Sequence, residues 1–285
     1  FENDDGRIVL IFPYVGRVMV GTTDIRIDNP DEAVCTDDEI GYILGMIDKV
    51  FPSITVDKSQ IVFTFSGVRP LPYMDANSTG QISRDHSLKT IPATGGLQYP
   101  IHSLVGGKWT SFRAFSEETA DVVLQNLSRS RSTSTANVSI GGGRGYPRSE
   151  DAKQAWLQKL QHKTELSLER LDELFERYGT RAEVFAGFIS QANDKPLQYM
   201  PAYSQREVEF ITKDEKLVHL EDLVLRRSLI GMLGYLNVDL LNELADITAT
   251  AMGWSDAQKQ EEIQRTIDVL SKKYRTKIGE TSALN

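Results

Sequence analysis

Apolar positions divide the chain into two kinds of segment. Through the first 127 residues they come in short β-rich runs broken by turns, with two amphipathic helical stretches between them. Residues 7–13 and 17–24 are β-rich and meet at Val15-Gly16, which predicts a hairpin over 7–24. Ile40, Ile43, Leu44, Ile47 and Val50 then follow helical spacing behind a Thr36/Glu39 capping box, and Pro52 lies just beyond. Residues 60–66 and 81–91 read as strands. A strand over 101–105 feeds a helix over 111–127. From residue 128 to 149 the pattern lapses: SRSRSTSTAN and GGGRGYPRS have the composition of a linker. Beyond it the spacing is almost wholly helical. Ser149 opens one helix. Leu168, Leu171, Leu174, Phe175 and Tyr178 line another that ends at Gly179. Thr180 with Glu183 reads as a further capping box. Residues 219–235 and 238–252 predict two helices, and Ser255 with Gln258 caps a last one reaching about Lys273. The fold class is α+β: a partial antiparallel sheet region over 1–127, a linker over 128–149, and an all-α domain over 150–285.

Composition narrows the function classes. Hydrophobic content of 40% and charged content of 25% are those of a soluble globular protein. A net charge of −8 argues against general nucleic-acid affinity, which needs basic surface to displace counterions. The single cysteine, Cys35, excludes an internal disulfide, fits a reducing compartment and has no ligand-spaced neighbours, so no metal is expected. No apolar run approaches the length needed to span a bilayer. The chain opens acidic and without Met, and reads as a piece of something longer.

Two stretches carry candidate chemistry. In SLVGGKWTSFRAFSEETADVVL (103–124) a strand, a glycine turn, a lysine and hydroxyl residues precede an amphipathic helix. That order places Gly106, Gly107, Lys108 and a helix-capping Thr110 at a helix N-terminus, where unpaired N–H groups and the macrodipole favour anions. The surrounding sequence is not a Walker A loop. In FSGVRPL (65–71), Arg69 follows a β-rich run and precedes a proline, a placement suited to bidentate anion recognition; the plainer reading is a surface ion pair. Ser83-Arg84-Asp85-His86 reads first as salt bridging on an edge strand. His86 has no evident partner, and His102, His162 and His219 are scattered. The glycines at 141–145 read as flexible loop rather than as an anion nest. Arg226 and Arg227, being adjacent, cannot share one helix face, so at least one should pair with acids such as Glu221 or Asp222. Trp109, Trp156 and Trp254 read as packing residues.

Five stretches in order, GRVMVGTTD (16–24), FSGVRPL, SRDH (83–86), GGKWTSFR (106–113) and LEDLVLRRS (220–228), resemble the C-terminal half of FAD-dependent glycerol-3-phosphate dehydrogenase of the bacterial aerobic type. Glycerol-3-phosphate oxidase shares them. The resemblance implies that residues 1–127 supply part of a substrate-domain sheet plus the last strand and helix of an FAD domain, with a helical domain after the linker. It implies FAD as cofactor, sn-glycerol 3-phosphate as substrate, a quinone as acceptor, and a cytoplasmic enzyme peripheral on the inner face of the membrane. It gives Arg69 and Lys108 catalytic and substrate-binding roles and Arg84 a place at the substrate phosphate. Gly106, Gly107, Lys108, Trp109 and Thr110 would contact the flavin. The family's N-terminal GxGxxG fingerprint is missing, so this chain by itself is expected to be inactive. An incomplete sheet exposes apolar edges that self-association into a homodimer would cover. A reading of another class makes the helical part a module that binds a protein partner.

Overall fold

The computed structural model describes residues 1–69, 85–106 and 108–279. Their backbone clusters into two compact units, one of residues 1–23, 31–66 and 141–285, the other of residues 24–30 and 67–140.

The first unit begins with the expected hairpin. Strand β1 (Leu10–Tyr14) pairs antiparallel with β2 (Arg17–Gly21), Tyr14 opposite Arg17. Val15 and Gly16 both have positive φ (45° and 73°), the twist that suits a two-residue hairpin turn. The Arg17 guanidinium donates to the Leu233 carbonyl at 3.2 Å and lies over the Tyr235 ring, which ties the hairpin to the helical residues of the same unit. Helix α1 (Asp37–Val50) starts at the predicted capping box, with Thr36 accepting from the Glu39 amide and Glu39 accepting from the Thr36 amide.

The β-rich run 60–66 does not form a strand. After a 3-10 turn at Lys58–Gln60 it stays extended without a strand partner and is used for packing instead. Thr64 donates its amide (3.0 Å) and hydroxyl (3.1 Å) to the Tyr274 carbonyl, and Phe63 stacks on Tyr274 with ring centroids 4.8 Å apart.

Besides α1, the helices of this unit are α3 (Glu150–Thr164), α4 (Leu168–Tyr178), α5 (Ala182–Ile189), α6 (Gln205–Asp214), a single turn α7 (Leu220–Asp222), α8 (Val238–Met252) and α9 (Asp256–Tyr274). Ser149, Ser167, Ser204, Asn237 and Ser255 cap α3, α4, α6, α8 and α9 with their side chains. Leu157, Leu171, Leu174, Phe175, Phe185, Ile189, Ile211, Leu240 and Leu244 are buried together. Each such side chain contributes about 1.5–3 kcal/mol by leaving water. Beneath that core, Glu207 is fully buried and accepts from Arg170, from Arg177 (2.7 Å) and from the Tyr178 hydroxyl (2.6 Å), joining α4 to α6. Burial, with the Glu207 charge second, pushes the Tyr178 phenol well above its usual range. Burial opposes the charge on Arg177, but Glu207 outweighs it and the guanidinium is held more firmly protonated than usual.

Three sequence expectations fail here. Thr180 is not a cap, because its hydroxyl proton is shared between the Gly142 and Arg144 carbonyls, 2.8 Å away each, and the N-cap position of α5 is Arg181, which makes no side-chain cap hydrogen bond. The apolar run 219–235 is not one helix. After α7 the backbone widens into a π turn (Leu223–Arg227) and then leaves helical conformation at Ser228, whose hydroxyl returns to the Leu223 carbonyl at 2.8 Å. The glycines of 141–143 are not a loose loop. A side chain on Gly142 would lie 1.9 Å from the Tyr178 carbonyl oxygen, so the run is pressed against the end of α4.

In the second unit β3 (Ser87–Ile91) and β4 (Ile101–Val105) form an antiparallel hairpin, and a 3-10 turn (Trp109–Ser111) leads into α2 (Phe112–Asn126). The fold is thus α+β, with small antiparallel pairs and a helical C-terminal part. The Ser/Arg-rich run after α2 lies along that helix. Arg131 pairs with Asp121 at 2.9 Å and with Glu117 at 2.7 Å, and Glu117 accepts from the Thr135 amide and, at 2.7 Å, from its hydroxyl. The Thr135 amide is the leading cause that holds the Glu117 carboxyl down at about 2. A folded-state value below the ordinary 4.5 means that this contact contributes fully above that pH and is lost only as pH falls through about 2. The expected result is a Glu117 carboxyl resonance that titrates near pH 2, together with the Thr135 amide shift. A midpoint at the ordinary glutamate value would show that the contact does not form.

Candidate functional site

The β3–β4 register places Ser87 opposite Val105, and so brings the residues just before β3 beside those just after β4. Gly106 carries this junction. Its φ is +72°, and a side chain there would come within 2.9 Å of the Asp85 carbonyl oxygen, so the turn admits only glycine comfortably. Two motifs 20 residues apart in the chain thereby converge at the start of α2. His86 stacks on Phe115 (ring centroids 4.4 Å) and its Nε2 lies 3.2 Å from a Glu118 carboxylate oxygen. His86 therefore has a partner, contrary to the sequence expectation. Phe115 and Glu118, three residues apart on one face of α2, are the signal that could have revealed it. His102 bridges Thr90 and Asn126 at 2.9 Å each, which fastens the hairpin to the helix from the other end.

The N-terminus of α2 differs from most others in the chain. It has no acidic residue in its first turn and no side-chain cap. Thr110 is not the cap: Ser111 occupies that position, and its hydroxyl is engaged with the Lys108 amide and carbonyl at 3.2 Å each. The positive end of α2 is left without a carboxylate of its own, as a site for an anionic group requires. Lys108 is exposed beside it. Trp109 is 93% exposed, so it is not a packing residue here. Trp156 and Trp254 do pack on the helical core.

Arg69 is 46% exposed and donates to an Asp24 carboxylate oxygen at 3.2 Å. No strand precedes it. Among the described residues no hydrogen bond or ion pair joins Arg69 to Lys108. Arg84 and Gly107 lie outside the described residues. Arg226 and Arg227 do pair with acids, Arg226 with Asp222 (2.7 Å) and Glu221 (3.5 Å), Arg227 with Glu215 (3.2 Å).

Residues 1–113 match the model of the FAD dependent oxidoreductase family, and residues 133–259 match that of the C-terminal domain of alpha-glycerophosphate oxidase. A glycerol-3-phosphate dehydrogenase of Synechocystis is 32% identical over 92% of this chain and 47% of its own length. The two matches and this relative support a fragment of an FAD-dependent glycerol-3-phosphate dehydrogenase. A probable mitochondrial glycerol-3-phosphate dehydrogenase of Dictyostelium discoideum is 29% identical over 94% of the chain and 42% of its own length. The chain therefore spans about half the length of these family members. The fold is shared with the crystal structure of the glycerol-3-phosphate dehydrogenase from Bacillus halodurans complexed with FAD, with a TM-score of 0.73 and 20% identity over 100% of this chain and 54% of the other. Among the described residues no helix is long and apolar enough to cross a membrane.

Proposed function

We propose that this chain is the substrate-side and helical portion of a flavoprotein that oxidises sn-glycerol 3-phosphate to dihydroxyacetone phosphate. The observation that carries the reading is the junction at Gly106. It sets Asp85 and His86 beside the uncapped, carboxylate-free start of α2, within the stretch that matches the FAD dependent oxidoreductase family. In this reading residues 1–127 belong to the FAD/substrate domain, 128–149 connect, and 150–285 form the helical domain.

The residues present suit a flavin edge. A glycine whose Cβ has no room gives the backbone its close approach, the helix end offers N–H groups to a negatively charged ring edge, and an exposed indole offers an apolar face. Gly106, Gly107, Lys108, Trp109 and Thr110 would hold it. The chemistry FAD supplies when bound is acceptance of a hydride from C2 of the substrate. Arg69 binds and orients the substrate and offsets charge on its oxygen, exchanging the Asp24 carboxylate for the incoming anion. Lys108 does the same beside it, and Arg84 takes the phosphate.

Electrons pass to a quinone at the inner face of the cytoplasmic membrane. The match of residues 133–259 favours a second reading, an oxidase that passes them to oxygen; hydrogen peroxide released during turnover distinguishes the two. The test of the whole reading is to mix the complete protein anaerobically with sn-glycerol 3-phosphate and follow its visible absorbance. Rapid bleaching is expected, and a flavin-loaded protein that does not bleach overturns the assignment. The 285-residue chain alone should lose flavin on gel filtration and show no turnover, since the dinucleotide fingerprint is absent from it. Flavin that co-elutes with it would refute that part.

A further inference from the structure

The helical unit contains an open cleft of about 510 Å³ that the reaction above does not use. Four arginines line it, Arg177, Arg181, Arg226 and Arg227, with one acidic residue, Glu215, and of the four Arg177 is bound through its guanidinium to the buried Glu207. Its floor includes the backbone of Gly141–Gly143, pressed against the end of α4. The other acids that answer these arginines are Glu207 and Glu173 on Arg177, Asp214 on Arg181, and Glu221 and Asp222 on Arg226, and none of them lines the cleft. The lining residues thus carry more basic than acidic side chains, although the protein as a whole is acidic.

Adjacent arginines on a regular helix would diverge, yet Arg226 and Arg227 both reach the cleft. They can do so because the backbone is a π turn that ends at Arg227, where the chain leaves the helix. Such turns are frequent at functional sites. Glu215 shows what the cleft accepts. One of its oxygens meets Arg181 at 2.8 Å and the other meets Arg227 at 3.2 Å, so a single anion already bridges two guanidiniums. A phosphate presents the same paired oxygens with more charge.

We infer that this cleft binds a small phosphate-bearing ligand from solution, held by Arg227, Arg226 and Arg181 and competing with the Glu215 carboxylate. None of its lining residues is among those assigned to substrate or flavin, so the inference stands independently of the proposed function. The probe is inorganic pyrophosphate, titrated by calorimetry into the full chain at constant ionic strength. Saturable one-to-one binding is expected. The double variant Arg226→Gln/Arg227→Gln should weaken it about tenfold or more. Because that variant also removes ion pairs, Glu215→Gln gives the decisive arm: it frees two guanidiniums and should tighten binding severalfold, which no loss of folding imitates. No saturable heat, or a Glu215→Gln variant that binds no tighter, overturns the proposal. So does sedimentation with phosphatidylglycerol vesicles without any response to pyrophosphate, which would place the charge at a lipid surface.

Discussion

Under the proposed function, Arg69→Ala in the complete protein is expected to lower kcat/KM for sn-glycerol 3-phosphate by about two decades or more. A change of that size corresponds to losing about 3 kcal/mol of transition-state stabilisation, the scale of one charge-assisted, two-pronged contact with an anion. Arg69→Lys should recover only part of the loss, because a point charge cannot reproduce the guanidinium fork. The structure supplies a control. At rest Arg69 is paired with Asp24, so Asp24→Asn removes the same ion pair from the other side. If Arg69 acts on substrate, Asp24→Asn costs far less than Arg69→Ala. Equal losses in the two variants, or less than fivefold for Arg69→Ala, would return Arg69 to a surface ion pair.

Glu207→Ala is the most destabilising single change expected in the helical unit. Glu207 is fully buried and receives two guanidiniums and a phenol, so its removal leaves Arg170 and Arg177 sharing only the more exposed Glu173 carboxylate, at 2.8 and 3.7 Å. Breaking a buried pair from one side costs about 3–5 kcal/mol. For a unit of this size that lowers Tm by roughly 10 °C, read by far-ultraviolet circular dichroism. Tyr178→Phe, which removes one neutral donor and keeps its stacking on Phe185, should cost only about 1 kcal/mol. A Glu207→Ala loss no larger than the Tyr178→Phe loss would mean that apolar packing alone holds α4 to α6.

Local chemistry was legible wherever the partner of a residue lies close in sequence. The Val15-Gly16 turn and the boxes at Thr36/Glu39 and Ser255/Gln258 formed as their spacing predicts. Where a distant group competes, spacing misled. The Thr180 hydroxyl was drawn to carbonyls 36 and 38 positions back, and the run at 60–66 found Tyr274 rather than a neighbouring strand. The candidate site was legible as a helix start with glycines and a lysine before it. Its second wall was not, because only the pairing of β3 with β4 carries Asp85 to Gly106. Trp109 misled for the opposite reason: an indole usually implies a core, and this one has none around it.

The contact between Gly142 and the end of α4 has a mechanical side. The chain passes from the second unit into the first between Ile140 and Gly141, one residue before that contact. There the backbones of Gly142 and Gly179 lie so close that a side chain on Gly179 would stand 2.6 Å from the Gly142 carbonyl oxygen. The Thr180 hydroxyl adds two hydrogen bonds across the same spot. Tension carried along this crossing of the polypeptide therefore reaches α4 with almost no slack, ahead of α3, which follows later in the chain. The connection is thus fastened at the C-terminal end of α4, the helix whose Arg170 and Arg177 reach Glu207.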